Sequence, residues 1–242
     1  MSNPVLSAGW KARYVNSPSA SRVAIVNLEM GNLFSVQRAC QVVGLAAEIT
    51  SDRADVIGAD AVILPGVGAF GRAMKRLREL NMVEALWRVA DSGKPLLGIC
   101  LGMQLFMEES SEFGCHEGLG LVSGRVRRLE NPRKGDRILK VPHVGWSRVN
   151  RPRLSDGSED PNVPPWEDSL LSGIADGAYM YFVHSFYAIP DDADVELGRT
   201  RYGEIEFTSA LQRENVTACQ FHPERSGKIG LGIYQELAAV LA

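Results

Sequence analysis

From Arg22 onward the chain alternates short apolar runs with stretches of helical period. Apolar runs lie near 22–28, 46–50 and 61–64, and amphipathic patterns lie near 32–43 and across 70–91. Another apolar run at 95–99 leads into a helical stretch that the pattern carries to about Glu109. Strands that alternate with helices in this way predict a parallel sheet covered by helices. The second half is richer in strands, with runs near 121–129, 178–187, 194–201, 205–212 and 216–221 ahead of a last helix from about Ser226. That succession predicts antiparallel strands added at one side, hence an α/β fold with a mixed, mainly parallel sheet. Asn150 to Asp168 holds four prolines among polar residues and reads as a surface loop. Residues 1–21 are Ser-rich and acid-free and have no apolar segment of a secretory signal. They read as a loosely attached, flexible extension, with a transit peptide as the alternative, and 22–242 reads as the folded domain.

Composition narrows the class. Apolar residues are 45% and charged residues 23% of the chain, which is ordinary for a globular protein with a sizeable core. No apolar run reaches the roughly 18 residues of a membrane span, so no membrane partner is expected. A net charge of −3 argues against a nucleic-acid scaffold, which usually carries a basic surplus. Cys40, Cys100, Cys115 and Cys219 lack the paired spacing of a zinc site or a disulfide framework. A reducing, cytoplasmic setting fits that usage. Cys40 on a helical pattern and Cys219 in a strand read as core residues, and nothing nearby completes a metal site around Cys115 and His116.

The run Leu96-Leu97-Gly98-Ile99-Cys100-Leu101-Gly102-Met103-Gln104 places one cysteine between two glycines where a strand meets a helix. That is the shape of a nucleophile elbow with sulfur in place of a serine oxygen. A tight turn excludes side chains beside the nucleophile, and free N–H groups at a helix start favour thiolate over thiol. The same pattern also suits a buried cysteine in an ordinary turn. A nucleophile needs a base and something to orient that base. His222-Pro223-Glu224 follows the apolar run 217–221, and the proline stiffens the segment that presents the imidazole and the carboxylate. Cys100, His222 and Glu224 then follow the logic of a hydrolase triad, although His-Pro-Glu alone also fits a polar loop. His184, inside an aromatic strand, is the rival histidine and is assigned to packing or an interface.

Ala61 to Gly71 is again a strand followed by a glycine-rich turn, with Gly66-x-Gly68-x-x-Gly71 spacing. The spacing matches a dinucleotide fingerprint, but the acidic residue at the tip of a second strand is missing because the segment beyond Gly71 reads as helical. A loop with exposed N–H groups can instead receive an oxyanion, one donor coming from the loop and another from Leu101.

Taken together, Gly31-Asn32-Leu33, Pro65-Gly66-Val67-Gly68, the elbow, Pro142-His143-Val144-Gly145-Trp146, Tyr181-Phe182-Val183-His184-Ser185 and Gln220-Phe221-His222-Pro223-Glu224 resemble the class I (triad) glutamine amidotransferases. Within them the chain is similar to the glutaminase subunits of imidazole glycerol phosphate synthases. The motifs come in the family's order and span roughly 22–242. The resemblance implies a flavodoxin-like α/β fold, no cofactor, and hydrolysis of L-glutamine to glutamate and ammonia by Cys100, His222 and Glu224. It implies an oxyanion site at Val67, Gly68 and Leu101, and substrate contacts at Gly66, Gln104, Glu112 and Ser185. Glu112 would meet the substrate ammonium, although its surroundings also suit a solvated helix end. The ammonia would pass to a (β/α)8-barrel synthase subunit in a heterodimer, forming imidazole glycerol phosphate and the aminoimidazole carboxamide ribotide by-product in histidine biosynthesis. Asn32, Trp146, Tyr181 and Arg225 match that interface. Three residues depart from the family: Arg225 stands where lysine is usual, Phe34 where a basic residue is common, and Ser147 where asparagine follows Gly-Trp. A paralogous glutaminase feeding a barrel partner in amidino-sugar synthesis, and a catalytically silent binding subunit of the same fold, are the alternatives.

Overall fold

The computed structural model describes residues 21–152 and 166–242. Its first half runs β1 (Arg22–Val26), α1 (Leu33–Val42), β2 (Ala46–Thr50), α2 (Arg53–Gly58), β3 (Ala61–Gly66), α3 (Phe70–Glu79), α4 (Met82–Asp91), β4 (Leu96–Cys100) and α5 (Leu101–Leu105). Short strands β5 (Glu109–Ser110) and β6 (His116–Glu117) follow, then β7 (Gly124–Arg128), β8 (Arg133–Lys134), β9 (Arg137–Ile138) and β10 (His143–Val149). The chain ends with β11 (Ala178–His184), β12 (Phe186–Pro190), β13 (Glu196–Tyr202), β14 (Ile205–Arg213), β15 (Val216–Cys219) and α6 (Gly227–Leu241).

The main sheet has seven strands in the order β13-β14-β15-β4-β3-β1-β2. The pairs from β2 to β15 are parallel, and β14 runs antiparallel to both neighbours. The expected mixed sheet is therefore present, with its antiparallel members at one side. Every residue of β3, β4 and β15 is buried, because helices cover both faces. Alternate side chains feed two cores. Ile25, Ile63, Leu97 and Ile99 pack with Val36 and Cys40 of α1 and with Ile233, Tyr234 and Leu237 of α6. Ala24, Val62, Leu64 and Leu96 pack with Met74 and Leu77 of α3, Leu86 of α4 and Met103 of α5.

The structure corrects several expectations, each for a tertiary reason. The helix after the elbow stops at Leu105 rather than near Glu109. The carbonyls of Leu105, Phe106, Met107 and Glu108 accept the N–H groups of Leu119, Val122, Gly120 and Gly118 at 2.8–3.1 Å, so a crossing loop takes the place of the next helical turn. The single strand expected over 178–187 breaks at Ser185: β11 pairs with β10, β12 pairs with β7, and the Ser185 carbonyl accepts Leu129 N–H. The strand expected over 121–129 shortens to β7 because Val122 is held by Phe106. The helices expected across 70–91 are present as α3 and α4, which meet at Asn81, whose φ is 53°. Neither α2 nor β10 was expected.

Of the loop expected over 150–168, residues 153–165 lie outside the described residues, but its far end is not a surface. Trp166 is buried and its indole N–H donates to the Leu197 carbonyl. Residues 1–20 of the expected extension also lie outside the described residues, while the Ser21 hydroxyl donates to Leu241 O on α6 at 2.9 Å. No helix among the described residues is long and apolar enough to cross a membrane.

Gly102 decides how closely α5 can sit on β3. A Cβ there would overlap the Leu64 carbonyl oxygen. Gly102→Ala should cost about 1–3 kcal/mol of stability, the usual range for overpacking a close-packed interior. An unchanged urea midpoint would show that α5 can shift away without strain.

Candidate active site

Cys100 is the last residue of β4 and caps α5 with φ 54° and ψ −105°. A non-glycine residue in that region stores on the order of 1–3 kcal/mol of strain, which the buried strand and the contacts of α5 hold in place. Gly98 is required as well, since a Cβ there would lie 2.6 Å from the Phe106 ring. Cys100 Sγ lies 3.8 Å from the Val183 carbonyl and accepts Gln220 Nε2–H at 3.6 Å. Because α5 has only five residues, its dipole is smaller than that of the helix expected from the pattern, and neighbouring groups carry more of the electrostatics at sulfur.

Strand β15 delivers His222 beside this sulfur. His222 Nδ1–H donates to Glu224 Oε1 at 2.8 Å, and both side chains are almost fully buried. Burial by itself would lower the imidazole pKa, but the charge of Cys100 and the hydrogen-bonded Glu224 carboxylate together push it up to about 10. The backbone of His222 is pinned at both ends: its N–H donates to Tyr181 O at 2.8 Å, and its carbonyl accepts the Ser226 hydroxyl at 2.7 Å. His222, Glu224 and Cys100 thus come from the carboxyl ends of two adjacent parallel strands.

A pocket of about 410 Å³ opens at this end of the sheet. Val67, Gly68, Cys100, Leu101, Gln104, Glu112 and Ser185 all line it. Gly66 lies beneath, where a Cβ would press on Leu101 at 3.2 Å, and Gly68 has φ +105°. Glu112 comes from a distant loop, yet its Oε2 accepts the Phe70 N–H at 2.6 Å. It therefore caps α3, whose own cap residue Ala69 provides no side-chain bond. The Gln104 amide nitrogen is already committed to Phe186 O at 2.7 Å and Gln220 Oε1 at 3.0 Å, so a ligand contact by Gln104 falls to its carbonyl oxygen. His184 lines the same pocket, buried and hydrogen-bonded to His143, as a packing residue with a polar partner.

Asn32, Trp146, Tyr181 and Arg225 lie outside this pocket. Trp146 is 53% exposed and stands edge-on to Tyr181, and the Arg225 guanidinium lies 4.5 Å from the Tyr181 ring centre. Asn32 caps α1 by accepting Ser35 N–H, and α1 packs against the turn Pro223–Arg225. Gln220 and His143 were given no role by sequence reasoning. Each was visible only as a motif neighbour, and no spacing rule ties them to Cys100.

The family model of class-I glutamine amidotransferases matches residues 31–231. The chain belongs to that family. It is 42% identical over 214 residues to imidazole glycerol phosphate synthase subunit HisH of Geobacter sulfurreducens, covering 88% of this chain and 96% of the relative. It is 46% identical over 213 residues to the subunit HisH of Sulfurimonas denitrificans, covering 88% and 95%. Among solved structures, PurLQS from Thermotoga maritima has a TM-score of 0.65 at 18% identity, covering 93% of this chain and 100% of that one. A structure described as glutamine amidotransferase has a TM-score of 0.63 at 18% identity, covering 90% and 98%. At that identity the structures bear on the fold alone.

The other buried histidines of this class-I glutamine amidotransferase titrate in the opposite direction from His222. Burial lowers His143 to about 4. Burial lowers His184 to about 3, helped by the charges of His143 and His222 and opposed by its bond to the Phe186 carbonyl. The ordinary value is 6.5, so between there and about 4 the unfolded chain binds these protons and the folded chain does not. This contribution to stability is fully present above pH 6.5 and is lost as pH falls through about 4. Urea midpoints should fall across that window, and side-chain NMR should find both rings neutral at about pH 5, where an ordinary histidine is charged. Protonation of either ring at about pH 6 would contradict the assignment.

Proposed function

We propose that this protein hydrolyses L-glutamine to glutamate and ammonia and passes the ammonia to a (β/α)8-barrel synthase subunit that forms imidazole glycerol phosphate. The observation that carries the reading is the strained Cys100 beside a buried His222–Glu224 pair, at the floor of a pocket of about 410 Å³.

The Cys100 thiolate attacks the side-chain amide carbon, forming a C–S bond. Val67, Gly68 and Leu101 border the position of the developing oxyanion, where preorganised backbone N–H groups can stabilise the negative charge. The C–N bond then breaks, and the imidazolium of His222, charged at neutral pH because its pKa stands near 10, gives its proton to the departing ammonia. Water attacks the thioester, His222 takes the water proton, and the C–S bond breaks to release glutamate. Glu224 keeps Nδ1 protonated and Nε2 toward the reaction throughout.

Glu112 supplies the substrate's charge match. Capping a helix gains at most about 2 kcal/mol, and withdrawing a carboxylate from water costs several kcal/mol. A cationic ligand group in the pocket offsets that deficit, as the ammonium of an amino acid does. Ser185, Gly66 and the Gln104 carbonyl complete the amino-acid end. The reaction needs a reduced thiol, which agrees with a cytoplasmic enzyme.

Free ammonia is largely protonated at neutral pH and is then no nucleophile, so direct transfer to a partner gives the hydrolysis its purpose. The curated relatives are named as subunits of imidazole glycerol phosphate synthase, which supports a synthase partner. The exposed face formed by Trp146, Tyr181, Arg225 and the start of α1 suits its docking.

Cys100→Ala should lower glutamine-dependent synthesis by the complex by several powers of ten while synthesis from added ammonium salts survives. Loss of both activities in an assembled complex would refute the division of labour. Arg225 forks toward solvent over Tyr181 and can bind a partner carboxylate through two hydrogen bonds. Arg225→Ala should reduce the stimulation of glutamine hydrolysis by the synthase ligand without changing unstimulated hydrolysis. Full stimulation in the variant would make Arg225 a solvated surface charge.

A further inference from the structure

The Phe186 carbonyl is a junction. It accepts Gln104 Nε2–H at 2.7 Å and lies 2.9 Å from His184 Nδ1. A carbonyl only accepts, so Nδ1 of His184 carries the proton, and Nε2 of the neutral ring is an acceptor. His143 Nδ1, 3.0 Å from that Nε2, therefore donates. His143 Nε2 is left as an acceptor for the Ser147 hydroxyl 2.9 Å away. Every tautomer is determined in turn. On the other side of the junction, Gln104 Nε2 also donates to Gln220 Oε1 at 3.0 Å, and Gln220 Nε2 donates to Cys100 Sγ at 3.6 Å.

The unbroken chain of hydrogen bonds thus runs from Ser147 on β10 to the sulfur. Along β10 the exposed residues Val144, Trp146 and Arg148 alternate with the less exposed His143, Ser147 and Val149. A partner that packs on the outward residues bears directly on the strand that carries the inward end of the chain. His143 itself is clamped by rings, 4.1 Å from Tyr202 and 5.0 Å from Phe182 between centroids, so it cannot drift out of line.

We propose that Ser147, His143 and His184 are positioning residues: their hydrogen-bond relay fixes the Phe186 carbonyl and, through the amides of Gln104 and Gln220, sets the reactive placement of Cys100. Docking on β10 then adjusts the nucleophile through contacts that never touch substrate. The inference rests on the glutaminase reading only for one of its two readouts.

The test uses the full chain with Ser147→Val and Ser147→Thr, which have nearly the same shape and differ in the hydroxyl. The first readout is alkylation of Cys100, which lines the pocket, by iodoacetamide, followed at the Cys100 peptide because Cys115 is exposed and would also react. The second is kcat and KM for glutamine in the complex. Ser147→Val should slow alkylation and lower kcat by roughly three- to tenfold, the worth of one hydrogen bond, with KM changed less than about twofold, while Ser147→Thr retains wild-type values. His143→Phe, which keeps the ring stack and deletes both nitrogens, should reproduce the Ser147→Val loss. The relay is overturned if Ser147→Val matches wild type in both readouts, or if Ser147→Thr falls as far as Ser147→Val. Should the wild type fail to hydrolyse glutamine, the function proposed above fails, and the alkylation rates still decide the relay.

Discussion

Among the described glycines, Gly102 leaves the least room for a Cβ, which would overlap the Leu64 carbonyl, and the site depends on this close approach. With no Cβ to intervene, α5 rests directly on the end of β3. The chain must then turn within one residue, and Cys100 takes up the strained positive-φ conformation that the turn requires. The same approach brings Leu101 against Gly66, so the loop at Val67 and Gly68 and the elbow share one wall of the pocket. A bulkier residue at 66, 98 or 102 would separate the loop from the sulfur before it changed any chemical group.

Three buried histidines show how neighbours rather than residue type set charge. His222 faces Cys100 and Glu224, and its proton is held well above neutral pH. His143 and His184 bond to each other, a serine and a backbone carbonyl among aromatic rings, and burial, with the charge of His222 acting on His184, keeps them neutral. One system is suited to moving a proton and the other to holding a geometry. The two glutamine amides, which carry no charge, link them by hydrogen bonds through the Phe186 carbonyl and the Cys100 sulfur.

The pocket wall is made by departures from regular structure. Four carbonyls after α5 are taken by a crossing loop, and the strand through His184 and Phe186 changes sheets at Ser185. Each departure leaves polar groups or side chains at the mouth of the site. A longer α5 or an unbroken strand would satisfy the same backbone groups and close the pocket.

The residues alone determined the alternation of strands and helices, the elbow around Cys100, and the pairing of His222 with Glu224 across a proline. These are local: glycine flanking, a buried apolar run and an i,i+2 pair are written within a few positions, where steric and hydrogen-bonding rules act without knowledge of the rest of the chain. Glu112 and Ser185 were reachable only through family likeness, because a carboxylate in a run of charges carries no local sign that it will cap a helix 42 positions away. The end of α5, the break at Ser185, the strand β10 and the roles of His143 and Gln220 were decided by tertiary structure. Each rests on a hydrogen bond between segments far apart in sequence, and such a bond competes with regular structure on equal terms once the segments are brought together.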